Sequence, residues 1–257
     1  MSAPVFLAES ARLEKYPVGS VYVLDGPEGR HAGVVQRRRP GEQIDVVDGE
    51  GLRLRCTIRD VHDSQVTLEV DEVCRDRDPV PHLVLVQALA KGDRDELAIE
   101  AATEVGVDGV IPWQASRSIV VWRGDRAARS RARWVATVRT ATKQARRARI
   151  PEVEEALTTS RLAARTAEVV AGGGAVLVLH EEATTPISAA ALPGPGADAQ
   201  VLVVVGPEGG ISAEELAELT DAGAQPVLLG PHVLRTSTAG PVALALLADR
   251  LGFWGGR

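Results

Sequence analysis

The sequence predicts an α/β protein: a mostly parallel C-terminal sheet preceded by a small β-barrel. Three observations carry this. Residues 51–70 alternate apolar and polar side chains with the period of two that a half-buried strand requires. From residue 83 onward, short continuous apolar runs alternate with helical stretches, the pattern of a parallel sheet covered on both faces. Between the two patterns, CRDRDPVPH (74–82) is charged, carries two prolines and has no periodicity. The expected division is therefore a barrel over 1–74, a linker over 75–82 and an α/β domain over 83–257.

In the first part, QIDVVDG (43–49) and GLRLRCTIRDV (51–61) flank Asp48-Gly49-Glu50-Gly51, a hairpin signal. Leu52, Leu54, Cys56 and Ile58 share one face, and Arg53, Arg55, Thr57 and Arg59 the other. SQVTLEV (64–70) repeats the pattern with Val66, Leu68 and Val70 inward. Short strands this closely spaced suggest a small barrel, and the first seventy residues read as β. In the second part, strands are expected at 83–89, 109–113, 175–181, 201–206 and 226–230. Helices are expected at about 93–105, 125–148, 160–171, 212–222 and 239–251. ISAEELAELTDAG (211–223) carries a full set of helix signals: Ser212 as N-cap, Glu215 completing the capping box, and Gly223 placed to end the helix.

Composition excludes several classes of function. No apolar run is long enough to span a bilayer, and the N-terminus lacks a basic region followed by an apolar core, so a cytoplasmic protein with no membrane partner is expected. Cys56 and Cys74 have no metal-ligand spacing, and no His/Cys cluster points to a metal. The net charge of −6 argues against nucleic acid, but the distribution argues for it. Between Arg123 and Arg149, ten basic residues accompany a single acid, Asp125. A second basic cluster, GRHAGVVQRRRPG, occupies 29–41. A solvated helix face is the alternative reading. Eight aromatics in the whole chain are too few for a base-stacking platform, so arginine contacts to a folded RNA surface fit better.

Three loops leave the carboxyl ends of expected strands: HEEATTP (180–186), GPEGG (206–210) and GPHVLRTSTAG (230–240). In open α/β sheets this edge is where ligands bind. Glycines bring backbone groups close to a ligand, and Leu228, Leu229, Val233 and Leu234 provide an apolar floor, which together suit an adenosine-like molecule. There is no GxxxxGK[ST], no GxGxxG after a first strand, and Glu208 would repel a pyrophosphate. The plainer alternative is that GPEGG is only a tight connection.

VVGPEGGIS (204–212) followed by LLGPHVLRTSTA (228–239) closely resembles the C-terminal signature of the 16S ribosomal RNA (uracil-N3) methyltransferases, the ribosomal RNA small-subunit methyltransferase E family of the SPOUT superfamily. ALAKGDRDELAIEAATEVGVDGVIPWQASRS (88–118) is similar to the segment opening the catalytic domain, TKQARRARIPEV (142–153) to its basic helix end, and RHAGVVQRRRPGEQIDVVDGEG (30–51) to the PUA-like barrel. The resemblance implies a trefoil-knot domain, S-adenosylmethionine as cofactor, 16S rRNA as substrate and a homodimer. It places cofactor contacts at His180, at Gly206, Pro207, Glu208, Gly209 and Gly210, at Leu229 and Gly230, and at Val233, Leu234, Arg235 and Thr238. Ser237 stands where the family usually has an acid, and Lys143, Arg146 and Gln36 also depart from its pattern.

Methylation at a uracil N3 requires that the N3 proton leave and that charge developing on O2 or O4 be stabilised. Arg235 or Arg117 is the expected stabiliser, with Glu208 as proton acceptor or cofactor-orienting group. Arg235 could instead pair with an acid across a dimer interface. RNA contacts are expected from His31, Arg37, Arg38 and Arg39, from Lys91 and Arg94, and from Arg117, Arg139 and Arg147, with the 125–148 helix as main footprint. The competing functions are a SPOUT enzyme acting on another RNA or on a ribose 2′-hydroxyl, and an RNA-binding assembly factor without catalysis.

Overall fold

The computed structural model describes residues 3–8, 12–194 and 196–255, which divide into two compact units. The first contains the chain up to Asp78 together with Thr142–Ile150. Its sheet runs β1 (Val5–Leu7), β3 (Gln43–Val47), β4 (Leu52–His62), β5 (Gln65–Arg75), β2 (Val21–Leu24). β1 and β3 are parallel, and the other pairs are antiparallel. Leu52, Leu54, Cys56, Ile58, Val66, Leu68 and Val70 are all buried in one core, as their alternation predicts. At the β3–β4 turn the Asp48 carboxylate accepts the amides of Glu50 (2.7 Å) and Leu52 (3.0 Å).

Two features of this unit depart from expectation. Residues 26–35, read as β, form a short helix α1 (Gly26–Arg30) that continues into a wider helical turn over His31–Val35. Pro27 presets the first turn, and buried Glu28 anchors it, accepting the Leu7 amide (3.2 Å) and the Lys143 ammonium (2.6 and 2.8 Å). Arg53, expected on the solvent face, is buried. It donates to Asp45 (2.7 Å), to Asp76 (2.6 and 3.0 Å) and to the Arg146 carbonyl (3.0 Å). The same contacts explain why 142–150 groups here rather than with the residues around it in sequence. Ala148 and Ile150 also pack with Val5, Leu7 and Val47.

The second unit is a parallel sheet in the order β12 (Gln225–Val227), β10 (Ala175–Leu179), β11 (Gln200–Val205), β6 (His82–Ala88), β7 (Gly109–Gln114), β8 (Glu152–Val153), with β9 (Leu157–Thr158) also on β7. The helices are α2 (Arg94–Val105), α3 (Asp125–Gln144), α4 (Thr159–Ala171), α5 (Ala213–Asp221) and α6 (Thr236–Arg250). Val84, Val86, Val176, Val178, Leu202 and Val204 face α4 and α5. Leu85 faces α6, whose Gly240 lies so close that a Cβ there would stand 2.8 Å from Leu85 Cδ1. Both faces are covered, which is why the strands read as unbroken apolar runs. Pro112, with no N–H to give, sits where the outer neighbour of β7 is interrupted between β8 and β9. The basic helix ends at Gln144 rather than near 148, since Arg146 takes a left-handed φ of 57°. α6 begins at Thr236 rather than at 239.

Candidate functional site

The loops predicted to converge do so at the carboxyl edge of the parallel sheet. The 180–187 segment is hydrogen-bonded to the end of β12: Leu228 N–H donates to the Thr185 carbonyl (2.8 Å), Ile187 N–H to that of Leu228 (2.9 Å), and His180 N–H to that of Val227 (3.1 Å). His180 Nδ1 accepts the Glu182 amide at 3.2 Å, so a neutral ring carries its proton on Nε2. The 206–210 loop follows β11, and α5 starts with the reciprocal Ser212–Glu215 capping box. Gly223 has a left-handed φ of 101° just past the helix end, as its sequence position predicts.

Three contacts clamp the 206–210 loop. At its start, the Thr236 hydroxyl donates to the Gly206 carbonyl (2.9 Å) and accepts from Gln87 Nε2 (2.9 Å). Gln87 is fully buried and also donates to the Ala88 carbonyl (3.2 Å). In the middle, the Glu208 carboxylate accepts from Arg94 Nη1 (2.9 Å) and from the Lys91 amide (3.3 Å). At its end, Arg117 Nη1 donates to the Gly209 carbonyl (3.1 Å). Two of these glycines meet close neighbours: a Cβ on Gly206 would stand 2.7 Å from Ile211 Cγ1, so something would have to shift, and one on Gly209 would stand 3.1 Å from Arg117 Cβ, a tight contact that needs the neighbour to give slightly.

Electrostatically, burial alone would push the Glu208 carboxyl up. Backbone amides at 208 and 91 and the Arg94 guanidinium outweigh it, so its pKa is held below the ordinary 4.5. Arg235 precedes α6, is exposed, and makes no side-chain cap to the helix. Beside it, residues 229–234 make no backbone–backbone hydrogen bond among the described residues, and a Cβ built on Gly230 meets nothing within 4 Å. Val233 (77% exposed) and Leu234 (38%) leave apolar surface open there.

The structure brings Glu208, Arg117 and the glycine loops to one sheet edge, and it adds Lys91 and Arg94, which the sequence suggested as RNA contacts, to the same loop. Sequence reasoning missed Gln87 and Thr236, which join β6, β11 and α6. The signal for Gln87 was a lone amide inside the apolar run LVLVQAL. Arg94, expected to meet RNA, is engaged by Glu208, and Arg139 and Arg147 are not free of partners. In the first unit, His31 Nε2 lies 2.9 Å from Gln36 Nε2, and Arg38 bonds Gln36 and Glu42. Arg37 and Arg39 are exposed.

The family model of the RNA methyltransferase domain matches residues 76–248, more than half of the chain. Ribosomal RNA small subunit methyltransferase E of Mycobacterium bovis is 48% identical over 236 residues, spanning 92% of this chain and 89% of that protein. The chain belongs to the ribosomal RNA small subunit methyltransferase E family. The Bacillus subtilis member is 30% identical, with 92% of each chain covered. Among solved structures, the family member from Neisseria gonorrhoeae bound to S-adenosyl methionine superposes with a TM-score of 0.83 at 26% identity, covering 97% of this chain and 98% of that one. A methyltransferase from Legionella pneumophila in complex with SAM gives 0.80 at 27%, with the same coverage.

Proposed function

We propose that the chain transfers the methyl group of S-adenosylmethionine to N3 of a specific uridine in 16S rRNA of the small ribosomal subunit. The observation that carries this reading is the meeting of segments 180–187, 206–210 and 228–236 at one sheet edge in a chain of this family. Two structural neighbours hold the cofactor, and the residues here fit it. The unpaired backbone groups of 229–234 suit an adenine edge and ribose hydroxyls, and Leu229, Val233 and Leu234 suit the ring and thioether. His180, Gly206 to Gly210, Gly230, Arg235 and Thr238 complete the pocket. The bound cofactor supplies a sulfonium-activated methyl group.

The remaining work falls to the chain's own side chains. Glu208, ion-paired and with a depressed pKa, is a weak base at neutral pH, and its role is to orient the loop beside a cationic ligand. Arg117 and Arg235 supply positive charge at O2 or O4, which stabilises the uracil anion formed when N3 gives its proton to solvent water, and that anion takes the methyl group. N3 lies on the Watson–Crick edge, so the target uridine enters unpaired or extruded.

Phosphate contacts are assigned to five exposed arginines that form no ion pair among the described residues, Arg37 and Arg39 in the first unit, Arg123 just before α3, and Arg126 and Arg129 in its first turns. Later basic residues of α3 have structural work instead. Arg131 bonds the Val153 (2.5 Å) and Glu154 (3.2 Å) carbonyls, Arg133 pairs with Glu96 (2.6 Å), and Lys143 with Glu28. This moves the proposed footprint to the front of the helix. The first unit is proposed as a PUA-like RNA-binding barrel. The second is proposed as a trefoil knot, supported by the path from β12 past β10 to Thr236 beside Gly206. Exposed Leu97, Val242, Leu246 and Trp254 supply an apolar face for a homodimer, and a cytoplasmic location follows from the substrate.

The test is mass mapping of nucleosides after incubating small subunits from a strain lacking this activity with the protein and S-adenosylmethionine. N3-methyluridine at one position is expected. A ribose 2′-O-methyl product, or no product, would overturn the reading.

A further inference from the structure

Glu215 does more than cap a helix. Its carboxylate accepts four hydrogen bonds from three segments: from the Ser212 amide (3.2 Å) at the start of α5, from the Thr159 hydroxyl (2.7 Å) at the start of α4, and from the amide (2.8 Å) and hydroxyl (2.7 Å) of Ser116 after β7. Thr159 in turn accepts the Trp113 indole N–H at 3.2 Å. A capping box needs only one acceptor at this position, so glutamine would serve. Four converging donors fill the lone-pair positions of a carboxylate, and an amide would turn an N–H toward two of them. Glu215 is 5% exposed and no cation pairs with it among the described residues. Burial raises its pKa, yet the Ser116, Thr159 and Ser212 donors hold it below 4.5.

The residue after Ser116 is Arg117, whose guanidinium reaches the Gly209 carbonyl and whose Cβ fills the slot left by Gly209. We propose that Glu215 is a positioning residue: by gripping Ser116 from the helix that follows the 206–210 loop, it sets Arg117 at a constant place over that loop. The proposal rests on the reading of Arg117 as the group that stabilises the uracil. The chain leaves the loop at Gly210, enters α5, and reaches back through Glu215 to hold the arginine that closes the loop. Cofactor wall and substrate-facing cation thus move as one body. The remaining guanidinium N–H groups of Arg117, on an exposed side chain, stay available to a uracil oxygen.

The test is a double-mutant cycle on the full chain. Glu215→Gln should lower kcat for methyl transfer by about tenfold to a hundredfold, the cost of a misplaced group, with S-adenosylmethionine affinity within about twofold of the parent. In an Arg117→Ala background the same substitution should cost less than about twofold, because its effect runs through Arg117. Ser116→Ala, which leaves the capping box intact, should give a smaller loss of kcat with the same non-additivity. Equal losses from Glu215→Gln in both backgrounds, or an unchanged kcat, would overturn the proposal. Amide hydrogen exchange keeps this test separate from the functional reading: Glu215→Gln should speed exchange at Ser116, whose N–H the carboxylate accepts, and at Ser118, whose N–H donates to the Ala115 carbonyl on the other side of Arg117. An inactive parent would sink the proposed reaction, while unchanged exchange would sink the positioning role.

Discussion

The two glycine loops of the site are built in opposite ways. Gly206–Gly210 is held at three points, by Thr236, by Arg94 with the Lys91 amide, and by Arg117. The 229–234 stretch has no backbone hydrogen bonds of its own among the described residues and is largely exposed. One loop is a preformed wall, and the other has backbone donors and acceptors open to solvent and free for a ligand. The lesson is that glycine serves two purposes at one sheet edge. Gly206 is there because Ile211 leaves no room for a side chain, whereas Gly230 is there with open space around it.

Substitutions can break this contrast. The largest effect is expected from Thr236→Val, which leaves the Gly206 carbonyl and the buried Gln87 amide short of a partner at a cost of about 2–3 kcal/mol. Urea unfolding of the variant should show it, together with weakened cofactor binding by calorimetry. Next comes the pair Gly206→Ala and Gly230→Ala. The first forces Ile211 to move and should cost about 1–3 kcal/mol. The second should change stability by less than about 0.5 kcal/mol while still weakening S-adenosylmethionine binding. Equal stability losses at the two glycines would erase the distinction between the loops.

A further, modest effect concerns Glu208. Its folded pKa lies below its ordinary value, so the folded chain binds fewer protons there than the unfolded chain does. The resulting stability is complete above 4.5 and is lost as pH falls through the folded value. Arg94 is about half exposed (45%) and Glu208 one-quarter (25%), so Arg94→Ala should cost no more than about 1 kcal/mol at neutral pH. The clearer readout is an NMR titration, in which the Glu208 carboxyl should move up toward 4.5. No movement would mean that the backbone amides alone hold it down.

Much of the second unit was legible because its signals are local. The runs at 175–179 and 200–205 are strands whose both faces are covered, and the Ser212–Glu215 box and Gly223 mark the ends of α5. Thr236-Ser237-Thr238 hid the start of α6, since β-branched and hydroxyl residues are weak helix formers and Thr236 is held there by Gly206 and Gln87. The affiliation of 142–150 was equally hidden. It depends on Arg53 reaching Arg146 and on Lys143 reaching Glu28, pairings across 93 and 115 residues that no window in the sequence contains. Glu215 was readable as a cap, but its grip on Ser116, 99 residues away, was not. Local rules see hydrogen bonds within a turn, and the site is assembled from bonds between loops.

The most direct test of a preformed wall facing a ligand-ordered one is amide hydrogen exchange with and without S-adenosylmethionine. Exchange at residues 229–235 should be fast in the free protein and strongly slowed by the cofactor, while Gly210, whose N–H donates to the Pro207 carbonyl at 2.9 Å, should already be protected and change little. Protection confined to Gly206–Gly210, or none at either loop, would contradict the account.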